Sequence, residues 1–388
     1  MWLFLFAAAA LAADSLWDLK QLSKTPRTFE APQPEPGVRA IFLEGPAYQG
    51  KPTRIFAYYG FASSKKNAAM VLIHGGGGTA FAEWVRLWNS RGYGAIALDT
   101  VGTVPENSTA NTWNPKRARH DHSGPAGWGD FQSVDKDPRD QWPYHAVAAV
   151  ILAHSWLRAQ PEVDPKRIGV TGISWGGYLT SIVSSLDPRF RFAAPVYGCG
   201  FLGEDSAWLK QFASLGPQRA ARWLELWDPS VYLPRNRIPM LWVTGTNDNA
   251  YPMGSHQKSY RLPTGPRSLA IRVRMPHNHR DGAHPKEIFA MADALLNHRA
   301  ALPRILKQEI REGQVSAEFR AATPIAKAEL NYTRDSGPWP QRHWETVPAY
   351  LDQKKQRAWA KVPGGATAWF LNLEDTKGLV ASTEHQLH

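Results

Sequence analysis

Hydrophobic and polar positions along the chain fall into two regimes. Up to about residue 300, continuous apolar runs alternate with stretches of helical spacing. Residues 69–73, 94–99, 167–171, 190–197, 239–245 and 269–275 read as strands buried on both faces, as in a parallel sheet covered by helices. Between them, residues 80–91 and 143–160 predict helices, the second with Val147, Val150, Ile151 and Leu157 on one face. His154 shares that face and reads as a packing residue. Residues 37–45 and 52–60 predict a hairpin or meander that leads into the sheet. Strand, helix and strand in alternation predict an α/β domain, residues 14–300, on a mostly parallel, doubly wound sheet.

Beyond residue 300 the period changes to two. Residues 314–319, 326–332, 357–362 and 367–371 alternate as half-buried strands with Pro and Gly between them. This spacing predicts a small all-β sandwich over residues 301–388, resembling a fibronectin type III module. Two insertions interrupt the first regime. Residues 101–142 form a long stretch rich in Gly, Pro, Asn and Asp, and residues 198–228 predict a helical cap. Both are expected to overhang the site, with Trp128, Trp142 and Trp208 contacting substrate.

The chemistry is carried by turns at strand ends. Gly172-Ile173-Ser174-Trp175-Gly176 follows one apolar run and opens a helical one, which is the setting of a Gly-x-Ser-x-Gly nucleophile elbow. A serine hydroxyl is a weak nucleophile, so it is held on a strained turn at a helix N-terminus that tolerates negative charge. Upstream, residues 69–73 run into His74-Gly75-Gly76-Gly77-Gly78, where glycine lets backbone N–H groups approach a developing oxyanion. Downstream, Asp248 follows the strand 239–245, and Pro276-His277-Asn278-His279 follows the strand 269–275. The order is Ser, Asp, His, that of an α/β-hydrolase. Ser174 is the expected nucleophile, Asp248 the acid, and Trp175 and Gly76 the oxyanion-hole donors. With the last strand ending near Met275, His279 has the reach for the base, and His277 is the alternative.

Competing chemistries leave weaker marks. No Lys-Ser or Lys-Thr pair follows the glycines, which removes a phosphate-binding loop. His277, His279 and His284 could suggest a metal, but neither cysteine nor a His-Glu-x-x-His partner supports it, so no metal and no cofactor is expected. At 388 residues and 43% hydrophobic, the chain can bury one large core and a small second one. The net charge of +11 is spread; its densest cluster, residues 116–120, reads as a solvated surface, and no nucleic-acid partner is expected. Residues 1–13 read as a signal peptide ending in an Ala-x-Ala site, although without a basic start, and no stretch is expected to span a membrane. With Cys199 the sole cysteine, no intrachain disulfide can form; a secreted or periplasmic bacterial protein is expected, and the sequons at Asn107 and Asn331 read as coincidences.

The glycine loop with Thr79 to Trp84, the elbow with Gly177 and Tyr178, residues 196–202 and Gly245-Thr246-Asn247-Asp248 together resemble the secreted α/β-hydrolases known as acetyl xylan esterase-like or dienelactone hydrolase-like, often with a C-terminal β-sandwich. The resemblance implies a serine esterase that removes acetyl or similar acyl groups from a carbohydrate-linked ester. Well-known dienelactone hydrolases use a cysteine nucleophile, whereas this chain has Ser174 there. The alternatives are a serine peptidase of the prolyl oligopeptidase type and a non-catalytic sugar-binding protein.

Overall fold

The computed structural model describes residues 16–32, 35–106 and 113–387. The expected signal peptide and Asn107 lie outside the described residues. Among the described residues the central sheet has nine strands: β1 (Thr28–Glu30), β2 (Arg39–Tyr48), β3 (Lys51–Gly60), β4 (Asn67–Ile73), β5 (Gly94–Leu98), and, after a separate hairpin of β6 (Thr103–Glu106) and β7 (Lys116–Arg119), β8 (Val163–Ile173), β9 (Ala193–Val196), β10 (Met240–Gly245) and β11 (Arg267–Arg272). They lie in the order β1-β2-β3-β5-β4-β8-β9-β10-β11. The first three are antiparallel, β3 meets β5 antiparallel, and the remainder run parallel. This is the α/β-hydrolase fold, and the apolar runs explain it: Ala68 to Ile73 and every residue of β5, β9 and β10 are buried, because helices cover both faces.

After the short α1 (Leu19–Leu22), the covering helices are α2 (Ala82–Asn89), α3 (Trp142–Arg158) and α4 (Trp175–Leu186). The cap insertion forms α5 (Leu209–Leu215), α6 (Pro217–Trp227) and α7 (Pro229–Tyr232), and α8 (Met253–Tyr260), α9 (His279–Ala283) and α10 (Lys286–Asn297) complete the domain. Buried His154 donates its Nδ1–H to the Asp187 carboxylate at 2.8 Å and stacks on Phe190. The 101–142 insertion is less open than its composition suggests. It contains the β6–β7 hairpin, and in β7 Arg117 and Arg119 reach back to backbone carbonyls of Gly77 and Val101, while Lys116 and Arg119 stay exposed as expected of a solvated surface.

The C-terminal region folds into two antiparallel sheets. One is ordered β12 (Arg304–Arg311), β13 (Gln314–Arg320), β17 (Arg357–Lys361), β16 (Tyr350–Asp352), and the other β15 (Glu345–Pro348), β14 (Ile325–Thr333), β18 (Ala368–Asp375), β19 (Val380–Ser382), with β20 (Gln386–Leu387) on β18. Val315 and Ala317 from one sheet and Leu330, Trp369 and Leu371 from the other share a core, so the sheets form a sandwich. This sandwich covers the edge of the central sheet. The two backbone groups of Ile271 that face the module are taken by its side chains: Ser382 Oγ accepts from the Ile271 N–H at 2.8 Å, and Asn372 donates to its carbonyl at 3.0 Å. Met253 and Ile271 pack there against Trp344, Ala368 and Phe370. Asn331 is buried and bonded to Thr346, which removes it as a glycan acceptor in the folded chain.

Candidate active site

Ser174 joins β8 to α4 at φ 58°, ψ −117°, a strained conformation for a residue with a side chain. The turn is tight enough to admit only glycine beside it. A Cβ at Gly172 would lie 2.2 Å from the Gly176 carbonyl oxygen, and one at Gly176 would lie 2.0 Å from that of Ile73. Ser174 donates its N–H to Val196 and accepts from Tyr178, both at 2.9 Å, so strand β9 and the first turn of α4 hold the elbow in place. The serine remains 9% exposed at the floor of the site.

Asp248, 1% exposed, sits in the turn after β10. Its Oδ1 accepts from the N–H groups of Ala250 at 2.9 Å and Tyr251 at 2.7 Å, which aims Oδ2 at His277 Nδ1, 2.7 Å away. With Nδ1–H committed to the carboxylate, Nε2 is the nitrogen of His277 available to take a proton. The Tyr197 ring stacks on this imidazole at 4.4 Å, and its hydroxyl donates to the Pro276 carbonyl at 2.6 Å, fixing the loop that carries it.

The histidine that meets Asp248 is therefore His277, not the expected His279. Strand β11 ends at Arg272, three residues before the expected end, and Arg274 turns the chain at φ 54°. The loop thus starts early enough for His277 to reach across. His279 lies at the start of α9, where its Nε2 accepts the Gly75 N–H at 3.1 Å and its ring packs on Phe81. Burial above all, then the neighbouring His74, lowers its pKa to about 4, so it is a neutral acceptor holding the glycine loop. A Cβ at Gly78 would lie 2.9 Å from that nitrogen.

The glycine loop is braced throughout. His74 accepts from Thr100 N–H at Nε2, 3.0 Å, so its Nδ1–H donates to the Gly75 carbonyl at 2.8 Å. Gly78 N–H returns to the same carbonyl, and Arg117 donates to that of Gly77. Gly76 lies over Trp175, its Cβ position 3.1 Å from the Trp175 ring. The N–H groups of Gly76 and Trp175 have no acceptor among the described residues, as donors kept for a ligand oxygen would.

Of the three tryptophans expected to contact substrate, two stand at the site. Trp208 packs on Trp175 at 4.6 Å and on Tyr251 at 4.9 Å, and Trp128 lies beside Gly76 with the Arg117 guanidinium 5.2 Å from its ring centre. Trp142 is fully buried, its indole N–H bonded to the Thr100 carbonyl at 2.7 Å and its ring against Trp175. As the first residue of α3 it supports the wall from below. Sequence reasoning missed Tyr197 and Tyr251; the signal available was their position one residue past β9 and three past Asp248. Among the described residues no three His, Cys, Asp or Glu side chains converge to hold a metal, and no helix is long and apolar enough to cross a membrane. Cys199, just beyond β9, is buried with its sulfur 3.5 Å from the Gly200 carbonyl, and burial pushes the thiol pKa well above its ordinary value.

Two family models match the chain, acetyl xylan esterase (AXE1) over residues 28–204 and the prolyl oligopeptidase family over residues 134–291. They overlap across the elbow and stop short of the sandwich. No curated protein matches. Among solved structures, the acetyl xylan esterase from Paenibacillus sp. R4 superposes with a TM-score of 0.54 at 22% identity, over 73% of this chain and 94% of that one. Acetyl xylan esterase 1 from Thermoanaerobacterium sp. JW/SL YS485 does so with 0.52 at 17%, over 70% and 88%. At these identities the likeness is one of fold.

Proposed function

We propose that this chain, an α/β-hydrolase of the serine hydrolase group spanned by the acetyl xylan esterase and prolyl oligopeptidase families, hydrolyses carboxylic esters, with an acetylated carbohydrate as substrate. One observation carries the reading: a carboxylate fixed by two backbone N–H groups orients the His277 imidazole, in a chain whose Ser174 stands on a strained elbow. In this mechanism Ser174 Oγ attacks the ester carbonyl carbon while His277 Nε2 takes its proton. The Gly76 and Trp175 N–H groups receive the oxyanion. Collapse breaks the bond to the alcohol oxygen, which leaves with the proton from His277. Water then attacks the acyl-enzyme, giving its proton to His277, and the Ser174 oxygen departs and recovers that proton. Asp248 keeps Nδ1 protonated and stabilises the imidazolium.

The aromatic wall of Trp175, Trp208 and Tyr251 supports a small acyl group, and Trp128 beside the glycine loop supports a sugar on the alcohol side. The match to the prolyl oligopeptidase family favours one second reading, a peptidase. Purified protein should release acetate from acetylated xylan and 4-nitrophenyl acetate while leaving aminoacyl 4-nitroanilides intact. The reverse preference would establish the peptidase. Ser174→Ala should lose turnover by on the order of 10⁴ to 10⁶ with its melting temperature retained. The leader read in residues 1–13 supports export, which a culture fractionation tests.

A further inference from the structure

We propose that Tyr251 is a further catalytic residue, its hydroxyl donating a hydrogen bond to the Ser174 oxygen as charge develops there; this rests on the serine mechanism above. Tyr251 is 1% exposed, and its ring is locked between Trp208 at 4.9 Å and the parallel plane of His277 at 6.4 Å. Its backbone N–H is one of the two that fix Asp248. The acid that orients His277 therefore also sets the position of Tyr251. The phenol faces the Ser174 side chain, yet it completes no hydrogen bond of proper geometry. A buried hydroxyl set against the nucleophile in a bond that is not completed is a cost to folding, so such a group in a reaction centre points to a bond that tightens during turnover.

The charge that would engage it is defined by the chemistry. When the Ser174 proton passes to His277, negative charge grows on Oγ before the bond to carbon is complete. It grows there again in deacylation, when the bond between Oγ and the acyl carbon breaks and its electron pair returns to Oγ. The Gly76 and Trp175 N–H groups serve the carbonyl oxygen, a different atom from Oγ. Burial above all, with the Asp248 carboxylate adding to it, holds the phenol pKa well above its ordinary value, so Tyr251 keeps its proton and can donate it.

Tyr251→Phe separates this role from packing, because the ring and its two aromatic contacts remain. The expected result is a drop of about tenfold in kcat on 4-nitrophenyl acetate with KM little changed, together with an unchanged or higher melting temperature. The second-order rate of Ser174 labelling by a fluorophosphonate should fall by a similar factor. Kinetics within about twofold of wild type would overturn the proposal, and so would a fall in melting temperature that accounts for the lost rate. Labelling needs no carboxylic ester. Slower labelling of the variant by a protein that turns over no ester would sink the esterase reading and keep this one, whereas a wild-type chain that does not label at Ser174 would take both down.

Discussion

At the scale of single residues, two histidines two positions apart do different work. His277 pairs with the acid, and His279 accepts the first N–H of the glycine loop. His277→Ala should therefore lower kcat/KM by on the order of 10⁴ or more, as loss of a triad member does. His279→Ala leaves the Gly75 N–H without a partner, at a cost of about 1–3 kcal/mol, and should lower kcat/KM only about 10- to 100-fold. Steady-state kinetics of the two variants check the assignment, and equal losses would reverse it. Ser174 and Asp248 were legible because each hangs on the end of a continuous buried strand, where period and glycine spacing fix the turn. The base was not. Val273 and Met275 continue the apolar run past the real end of β11, because both pack against neighbouring cores rather than in the sheet. Hydrophobicity marks burial there, and only backbone geometry tells where the strand stops.

At the scale of elements, the loop between β14 and β15 ties the sandwich to the reaction centre. The Asn247 side-chain amide, next to the acid, donates toward the carbonyls of Trp339, Pro340 and Arg342 at 3.2, 3.2 and 2.7 Å. Arg342 stacks on Trp339 within that loop, and Arg274, on the way to His277, meets His343. Asn247→Ala should cost about 1 kcal/mol of stability and reduce kcat by loosening the Asp248 turn; denaturant melts and kinetics on one sample would show whether the two losses travel together. The sandwich strands were legible from their period of two, but this contact was not, since it pairs residues some ninety positions apart through backbone carbonyls that carry no sequence signal. The helix start at Trp142 is hidden in the opposite way: the composition of residues 101–142 places it in the loop and so at the site, whereas its place on α3 turns it inward.

At the scale of the whole molecule, buried neutral histidines set the response to acid. Burial chiefly lowers His145, His256 and His279 to about 4 and His385 to about 3, against an ordinary value of 6.5. Between pH 6.5 and 4 the unfolded chain binds protons that the native one refuses, so stability is full above 6.5 and falls as pH drops through that window. Each such histidine adds a slope of about 1.4 kcal/mol per pH unit. Urea midpoints at pH 7, 6 and 5 should descend steadily; a flat series would show that these rings are protonated in the native state. Ending the chain at residue 300 would bare Met253, Ile271 and the edge of β11, and the fragment should aggregate on purification, which light scattering would detect. The buried Cys199 gives the same molecule an internal clock. As the chain's single thiol, closed to reagents in the native state, it can be alkylated only when the centre of the sheet opens. The rate at which iodoacetamide adds one mass increment therefore times the opening of the hydrolase core itself, with no dye to attach and no residue to replace.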